Sequence, residues 1–125
     1  MKIKIISHVL IFSLFAAFLM SCGSDENTET TTEEELVGIW RRTDINETLK
    51  AREFLSDGTG YLGNYDTGTY TRTSSFTWSL NNNAIVLYLA FDSSVVYEEI
   101  LQLTSEILVT QRTGTNEIRN FEFIQ

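Results

Sequence analysis

The stretch Phe76-Thr77-Trp78-Ser79-Leu80-Asn81-Asn82-Asn83-Ala84-Ile85-Val86-Leu87-Tyr88-Leu89 decides the fold of this chain of 125 residues. Its first part alternates large apolar side chains with small polar ones, which is the period of a strand with one buried face. Three asparagines follow, and asparagine tolerates the left-handed backbone of a tight turn. The second part is apolar on both faces, which is typical of a strand that is covered on both sides or that faces a partner. The stretch therefore predicts an antiparallel hairpin.

The same period of two extends in both directions from this hairpin, over residues 36–125. Asp57-Gly58 and Asp66-Thr67-Gly68 are turn signals between the short alternating runs, and no segment carries ten residues of helical period. The sequence predicts eight strands: Leu36–Thr43, Ala51–Ser56, Gly60–Tyr65, one ending in Phe76–Leu80, Ala84–Ala90, Val95–Leu103, Ile107–Arg112 and Ile118–Ile124.

Connections of two to eight residues join these strands, and links so short make neighbouring strands antiparallel. The sequence therefore predicts an all-β, up-and-down meander. Eight strands leave two exposed edges unless they close, and the chain has no proline to protect an open edge. We expect a closed barrel, with a rolled sheet or a flattened sandwich as the alternative. Thr32 and Glu35 have the spacing of a capping box, which predicts one helical turn before Leu36.

The N-terminal residues have the pattern of an export signal. Lys2 and Lys4 precede an apolar run over residues 9–20, and Leu19-Met20-Ser21-Cys22 ends it. Twelve helical residues measure about 18 Å, too short for a hydrocarbon core of roughly 30 Å, so a cleaved signal is favoured over a membrane helix. The segment resembles the lipobox of bacterial lipoproteins. This resemblance implies that residues 1–21 are a signal peptide and that Cys22 carries acyl chains such as palmitate, which anchor it in the bilayer. An ordinary secretory signal is the alternative.

The segment after the cysteine is acidic and polar. Residues 23–35 contain six acids, no base and no apolar side chain, so they predict a disordered tether that begins at the lipidated Cys22. Ser24-Asp25-Glu26 resembles the acidic export signal that sends some Gram-negative lipoproteins to the outer face of the outer membrane. The resemblance implies a place on the cell surface, with a periplasm-facing protein as the alternative.

Charge and residue types exclude several kinds of function. Lys2 and Lys4 belong to the predicted signal, so the remainder has seven basic and 17 acidic residues, a formal charge of −10. Such a chain repels nucleic acid. The only histidine, His8, leaves with the signal, and lipidation consumes the only cysteine, Cys22. Because Ser-His and Cys-His pairs and the usual zinc ligands are then missing, we expect no enzyme, no cofactor and no metal.

Gly38-Ile39-Trp40 resembles the Gly-x-Trp signature of lipocalins. With the Asp57-Gly58-Thr59-Gly60 turn, the strand ending in Trp78 and the Leu101-x-Leu103-Thr104 pattern, it looks like the small lipocalin-like domains of bacterial lipoproteins. The likeness covers residues 36–125. It implies that Gly38 bends the chain at the barrel floor and that Trp40 plugs that floor. It also implies that an arginine of the last strand, Arg119 or else Arg112, stacks over Trp40.

Alternation predicts which side chains fill the barrel. An eight-stranded barrel is just wide enough to be filled by its own side chains or to hold one small ligand. The predicted interior set is Trp40, Phe54, Tyr61, Phe76, Trp78, Leu80, Ile85, Leu87, Leu101, Leu103, Phe121 and Phe123. The residues predicted to contact a ligand are Trp40, Phe54, Tyr61, Trp78, Tyr88 and Arg119.

Two groups of acidic or amide residues suggest weaker sites. Glu98 and Glu99 are adjacent on a strand and face opposite ways, so they cannot share a proton. We expect both to be solvated, as most such pairs are, with one of them pointing inward as the alternative. Asp57, Asn64 and Asp66 are oxygen ligands of the kind that calcium takes, but they lack an EF-hand register, and turn chemistry is the simpler interpretation.

The sequence is compatible with two functions. The first is a membrane-anchored, non-enzymatic lipocalin-like protein that binds a small apolar or amphipathic ligand at one barrel mouth. The second is a filled barrel that docks another envelope protein by its outside, for example as an inhibitor or a complex subunit. An apolar cavity of about 300 Å³ or more would favour the first.

Overall fold

A computed structural model describes residues 30–45 and 50–125 of the chain. The signal peptide, the lipidation of Cys22 and the export signal at Ser24-Asp25-Glu26 lie outside the described residues. The elements in chain order are the helix α1 (Glu33–Leu36) and the strands β1 (Gly38–Arg42), β2 (Lys50–Phe54), β3 (Thr59–Asp66), β4 (Thr69–Asn81), β5 (Ala84–Leu89), β6 (Ser94–Leu103), β7 (Ile107–Arg112) and β8 (Ile118–Phe123). All strand boundaries that the alternation predicts are met within two residues.

The eight strands form a closed antiparallel barrel in which each strand pairs with its neighbours in sequence. Closure occurs where β8 returns to β1, with Trp40 opposite Phe123 and Arg42 opposite Phe121. The predicted all-β meander and its closure are therefore confirmed, and neither a rolled sheet nor a flattened sandwich forms. Closure pairs the two strands, β1 and β8, that would otherwise be the exposed edges of the described sheet.

The turns follow the predicted chemistry. Asp57 accepts hydrogen bonds from the backbone N–H and the hydroxyl of Thr59, at 2.9 and 2.6 Å, while Gly58 takes a positive φ of 82°. Thr67 and Asn82 also have positive φ, in the β3–β4 and β4–β5 turns. These are the left-handed positions that hairpin turns require.

Helix α1 closes one end of the barrel, which we call the floor end. Its capping box forms as predicted, with the Thr32 N–H donating to the Glu35 carboxylate at 2.7 Å. Leu36 is fully buried, and its carbonyl accepts a hydrogen bond of 2.8 Å from the Trp40 indole. The helix overlaps the last three residues of the predicted tether, because Leu36 draws them onto the barrel.

Gly38 permits the close approach of β1 to the C-terminal residues at the floor end. Its φ is +137°, and a Cβ there would lie 2.3 Å from the Phe123 ring and 2.7 Å from the Gln125 carbonyl oxygen. The Ile39 N–H donates to that same carbonyl at 2.8 Å. Only glycine fits this backbone and this space.

The core confirms most of the predicted interior set. The fully or nearly buried cluster consists of Leu36, Trp40, Phe54, Phe76, Trp78, Ile85, Leu87, Val96, Ile100, Leu108 and Phe121. Leu80 and Leu103 pack against it while partly exposed. All of these residues lie within 36–121, so the barrel has a hydrophobic core of its own.

Three members of the predicted interior set are placed wrongly. Tyr61 faces outward, where the Arg72 guanidinium lies 4.1 Å above its ring. Leu101 is 47% exposed because a bulge between Ile100 and Gln102 shifts the register, so Ile100 is buried in its place. Phe123 packs edge-on against Trp40 but lies at the rim of the barrel and stays partly exposed.

Candidate functional site

The inner face of the barrel changes character from one end to the other. The floor end carries α1 and the β2–β3, β4–β5 and β6–β7 connections; the opposite end, the mouth, carries the other four. Toward the mouth, the inward positions are occupied by polar side chains, each two residues along its strand from a buried apolar residue. Arg42 follows Trp40 in this way, Arg52 precedes Phe54, and Arg119 precedes Phe121.

Glu98 is the centre of this polar region and is 0% exposed. Its Oε2 accepts hydrogen bonds from Nη1 of Arg52 at 2.8 Å and from the Thr110 hydroxyl at 3.0 Å. Its Oε1 accepts from Nη1 of Arg119 at 3.0 Å. The Arg52 guanidinium also lies 4.2 Å from the centre of the Phe121 ring. The carboxylate therefore has partners on both oxygens, which a buried charge requires.

The ion pairs continue from Glu98 to the surface. Arg119 donates to Glu117 at 2.8 Å, Arg42 donates to the same carboxylate at 2.6 Å, and Arg42 also donates to Asp44 at 2.8 Å. The result is a series of alternating charges that we call the charge chain, consisting of Arg52, Glu98, Arg119, Glu117, Arg42 and Asp44. Three bases balance three acids along it.

The charge chain keeps its carboxylates ionised. Burial alone raises the pKa of Glu98, but the charge and hydrogen bonds of Arg52, together with Arg119 and Thr110, bring it below the ordinary value. Hydrogen bonds from Arg119 and Arg42 lower the pKa of Glu117 to about 2. Both groups are therefore negative at neutral pH.

Arg119 does not stack over Trp40, so that prediction is wrong. Its guanidinium bonds to Glu98 and Glu117, and the ring that packs on Trp40 is Phe123. The physical reason is the buried carboxylate, which attracts the guanidinium more strongly than an indole face does. The Nε atom of Arg119 is buried and meets no acceptor among residues 30–45 and 50–125.

A depression of about 340 Å³ opens at the mouth. Leu62 and Ser74 line it and pair with each other on the inner face, next to Arg52. Lys50 lines it from β2, and Phe91 comes from the β5–β6 connection. Asn64, opposite Lys50, completes the polar side. We call this depression the mouth pocket. It combines apolar and polar side chains in one concave surface.

The residues predicted to contact a ligand lie in three separate places. Trp40, Phe54 and Trp78 are buried together in the floor core, where the Trp78 indole donates to the Leu55 and Thr59 carbonyls. Tyr61 and Tyr88 lie outside. They line a groove of about 460 Å³ over β3, β4 and β5, which we call the outer groove. Arg119 belongs to the charge chain.

Glu98 and Arg52 are the main residues that sequence reasoning missed. The expectation that Glu98 and Glu99 are both solvated is wrong for Glu98, while Glu99 is exposed. The position of Glu98 on its strand is the sequence feature that indicates its burial, because Glu98 lies two residues from both Val96 and Ile100, which are buried. That parity points Glu98 inward whatever its charge.

The proposed oxygen ligands for calcium do not gather. Asp57 caps its own turn, Asn64 lines the mouth pocket and Asp66 lies at the exposed tip of the β3–β4 hairpin. Across residues 30–45 and 50–125, no three acidic, histidine or cysteine side chains form a metal-binding group. The helical residues in this part of the chain form no segment long and apolar enough to cross a membrane.

Comparison with known proteins adds no relative. The chain matches no protein-family model, and no curated protein and no solved structure is significantly similar to it. The barrel's own geometry is therefore the basis for assigning a function. Besides the mouth pocket and the outer groove, a depression of about 380 Å³ lies at the floor end, where Trp40, Leu103 and Phe123 line it beside α1. Of these surfaces, the mouth pocket is the one that borders the charge chain.

Proposed function

We propose that this protein is a lipid-anchored, non-enzymatic binding module of the cell envelope, with a lipocalin-like barrel that takes a small amphipathic molecule at its mouth. The shape and lining of the mouth pocket are the observation that supports this proposal. Leu62 and Phe91 offer an apolar side, Lys50 and Asn64 a polar one, and the volume of about 340 Å³ lies within the usual range for small-molecule sites.

The packing of the floor half of the interior favours the mouth as the end at which such a ligand binds. Leu36 and Trp40 are buried at the floor end and joined by a hydrogen bond, with Phe54 and Leu108 fully buried in the same core. Interiors this well packed do not admit an extra molecule without loss of stability. The depression at the floor end lies beside α1 and the β6–β7 connection, next to this core, so the mouth pocket is the better candidate for the ligand site.

The chain enters the barrel at the floor end, through Thr30 and α1. An anchor at Cys22 would attach that end to the bilayer and leave the mouth directed away from it. Two acyl chains at about 0.8 kcal/mol per buried methylene hold a protein on a membrane far better than one chain. This orientation suits a module that takes its ligand from the surrounding fluid.

The anchor is tested with Cys22→Ala. We expect wild type to incorporate a clickable fatty acid and to sediment with outer membranes, and the variant to do neither. Protease shaving of intact cells then tests display, since a surface protein is cleaved and a periplasm-facing one is protected. Equal labelling of the two proteins would contradict the lipoprotein assignment.

The ligand is tested by native mass spectrometry of residues 22–125 purified from cells. We expect a mass increment from a co-purified small molecule. Ser74 lines the mouth pocket and its neighbour Ser75 lines the outer groove, so they provide a matched pair. Ser74→Trp fills the mouth and removes the increment, while Ser75→Trp retains it. An increment that survives Ser74→Trp would exclude the mouth pocket as the site.

A second candidate is a protein-interaction module, and the outer face of β5 and β6 favours it. Tyr88, Val95 and Tyr97 are 50, 42 and 49% exposed there, and Tyr88 pairs directly with Val95. Exposed tyrosines beside a groove are typical of protein interfaces. Cross-linking in intact cells distinguishes the candidates: for this second function, Ser75→Trp removes a cross-linked envelope protein that Ser74→Trp retains.

A further inference from the structure

Basic residues are distributed unevenly in this acidic protein. After Cys22 the chain has only seven, and five of them, Arg42, Lys50, Arg52, Arg112 and Arg119, occupy inward positions in the mouth half of the barrel. Arg41 and Arg72 are on the outside, each with an acidic partner. The positive charge of the domain is therefore concentrated around the mouth.

Three of the five inward bases are balanced. Arg52, Arg119 and Arg42 belong to the charge chain, where three acids match them. Lys50 and Arg112 form no ion pair with any other residue in 30–45 and 50–125. These two bases are therefore the positive charges at the mouth that no acid of the charge chain neutralises.

Lys50 is the better placed of the two. It lines the mouth pocket directly, on the same inner face as Arg52 and opposite Asn64. Arg112 lies across the barrel near the β5–β6 connection, where hydrogen bonds from Ser94, with a smaller effect of the Arg112 charge, lower the pKa of Asp92. Asp92 offsets part of the Arg112 charge, so Lys50 is the main site for an anion.

We infer that the mouth pocket selects amphiphiles with an anionic head, a carboxylate on a short apolar body, and that the Lys50 ammonium binds the carboxylate. This inference rests on the proposed function and names the ligand class for the same pocket. Leu62 and Phe91 provide the apolar contact for the body. An ammonium beside apolar walls favours a carboxylate over a neutral head and repels a cationic one.

The test uses three eight-carbon probes that differ in head group: octanoate, octanol and octyltrimethylammonium. Isothermal titration calorimetry of the full chain in zwitterionic nanodiscs, with empty discs as the blank, gives a Kd for each. We expect octanoate to bind about fivefold more tightly than octanol, the scale of a partly solvated ion pair, and the cation to bind most weakly. We expect Lys50→Gln to bind octanoate and octanol with equal Kd values. We expect Lys50→Glu to bind the cation most tightly and octanoate most weakly. Arg41→Gln, which removes an outside arginine, keeps the wild-type order.

The possible results separate the inference from the proposed function. If octanol binds as tightly as octanoate and Lys50→Gln changes neither Kd, the inference is overturned while the pocket of the proposed function stands. If none of the three probes binds, both are overturned. If Arg41→Gln removes the octanoate preference as fully as Lys50→Gln does, the preference comes from overall charge and the Lys50 site is excluded.

Discussion

The two halves of the barrel interior are built from different chemistry. At the floor, Trp40, Phe54 and Leu108 are buried, and the polar indole of Trp40 is satisfied by a backbone carbonyl. Toward the mouth, Glu98 and Arg52 are buried as ions, each held by the other. Apolar packing stabilises by removing surface from water, whereas a buried ion pair roughly offsets its own desolvation and is costly only when broken. The floor is therefore the scaffold, and the mouth half is the part that can respond to charge.

The largest effect is expected at the floor. Trp40→Ala removes a buried indole and its hydrogen bond to Leu36, and aromatic-to-alanine changes in cores cost about 3–5 kcal/mol. Urea unfolding of residues 22–125 measures the loss of unfolding free energy. Tyr88→Ala, on the exposed outer face, is the control and should cost about 1 kcal/mol or less. A Trp40→Ala loss below that of Tyr88→Ala would mean that the floor is not the scaffold.

Glu98→Gln should have the next largest effect. The substitution leaves Arg52 and Arg119 without their shared counter-charge inside the barrel. Breaking a buried ion pair costs about 3–5 kcal/mol, and the amide of glutamine offsets part of this cost because it retains some of the hydrogen bonds. Glu99→Gln, one residue away on the outer face, should stay within about 0.5 kcal/mol of wild type. Equal stabilities for the two variants in urea would show that the carboxylate at position 98 does not hold the arginines.

The charge chain should also make stability depend on pH. Because folding lowers the pKa of Glu98, its contribution is complete above the unfolded-state pKa of about 4.3. It is lost as the pH falls through the folded-state pKa. Glu117, with a folded pKa of about 2, acts in the same direction. We expect wild type and Glu99→Gln to lose unfolding free energy more steeply between pH 5 and pH 2 than Glu98→Gln does, in urea titrations at each pH. Parallel curves for all three proteins would contradict this assignment.

The smallest effect is expected at the outer end of the charge chain. Glu117 is 40% exposed and pairs with Arg42 and Arg119, and exposed ion pairs contribute about 0.2–1 kcal/mol. Glu117→Gln should therefore cost less than about 1 kcal/mol, and the difference should shrink further in 1 M salt, where charges are screened beyond about 3 Å. A loss as large as that of Glu98→Gln would mean that depth in the barrel does not set the cost.

The floor half could be predicted from the sequence because apolar alternation reports it directly. Phe76, Trp78, Ile85 and Leu87 are all found inside, as the opening hairpin predicts. Val86 is also buried, on the outer face, in agreement with a strand that is apolar on both sides, whereas Tyr88 is exposed.

The mouth half could not be predicted in the same way. A charged residue normally marks a solvated face, so the charge of Glu98 outweighed the strand parity that points it inward, and only the partner Arg52 explains why the carboxylate is stable there. The Leu101 error has another cause, since a single bulge after Ile100 exchanges the two faces of the strand. Pairing partners and bulges are tertiary features that one strand's pattern does not contain.

The most direct test of the claim that the mouth half is the binding site is amide chemical-shift mapping on ¹⁵N-labelled residues 22–125 during titration with octanoate. We expect the shifts to concentrate at Lys50, Leu62, Asn64, Ser74 and Phe91, while the amides of Trp40 and Phe54 at the floor stay unchanged. Shifts concentrated on the outer face instead, at Tyr88, Val95 and Tyr97, or no saturable shifts at all, would contradict it.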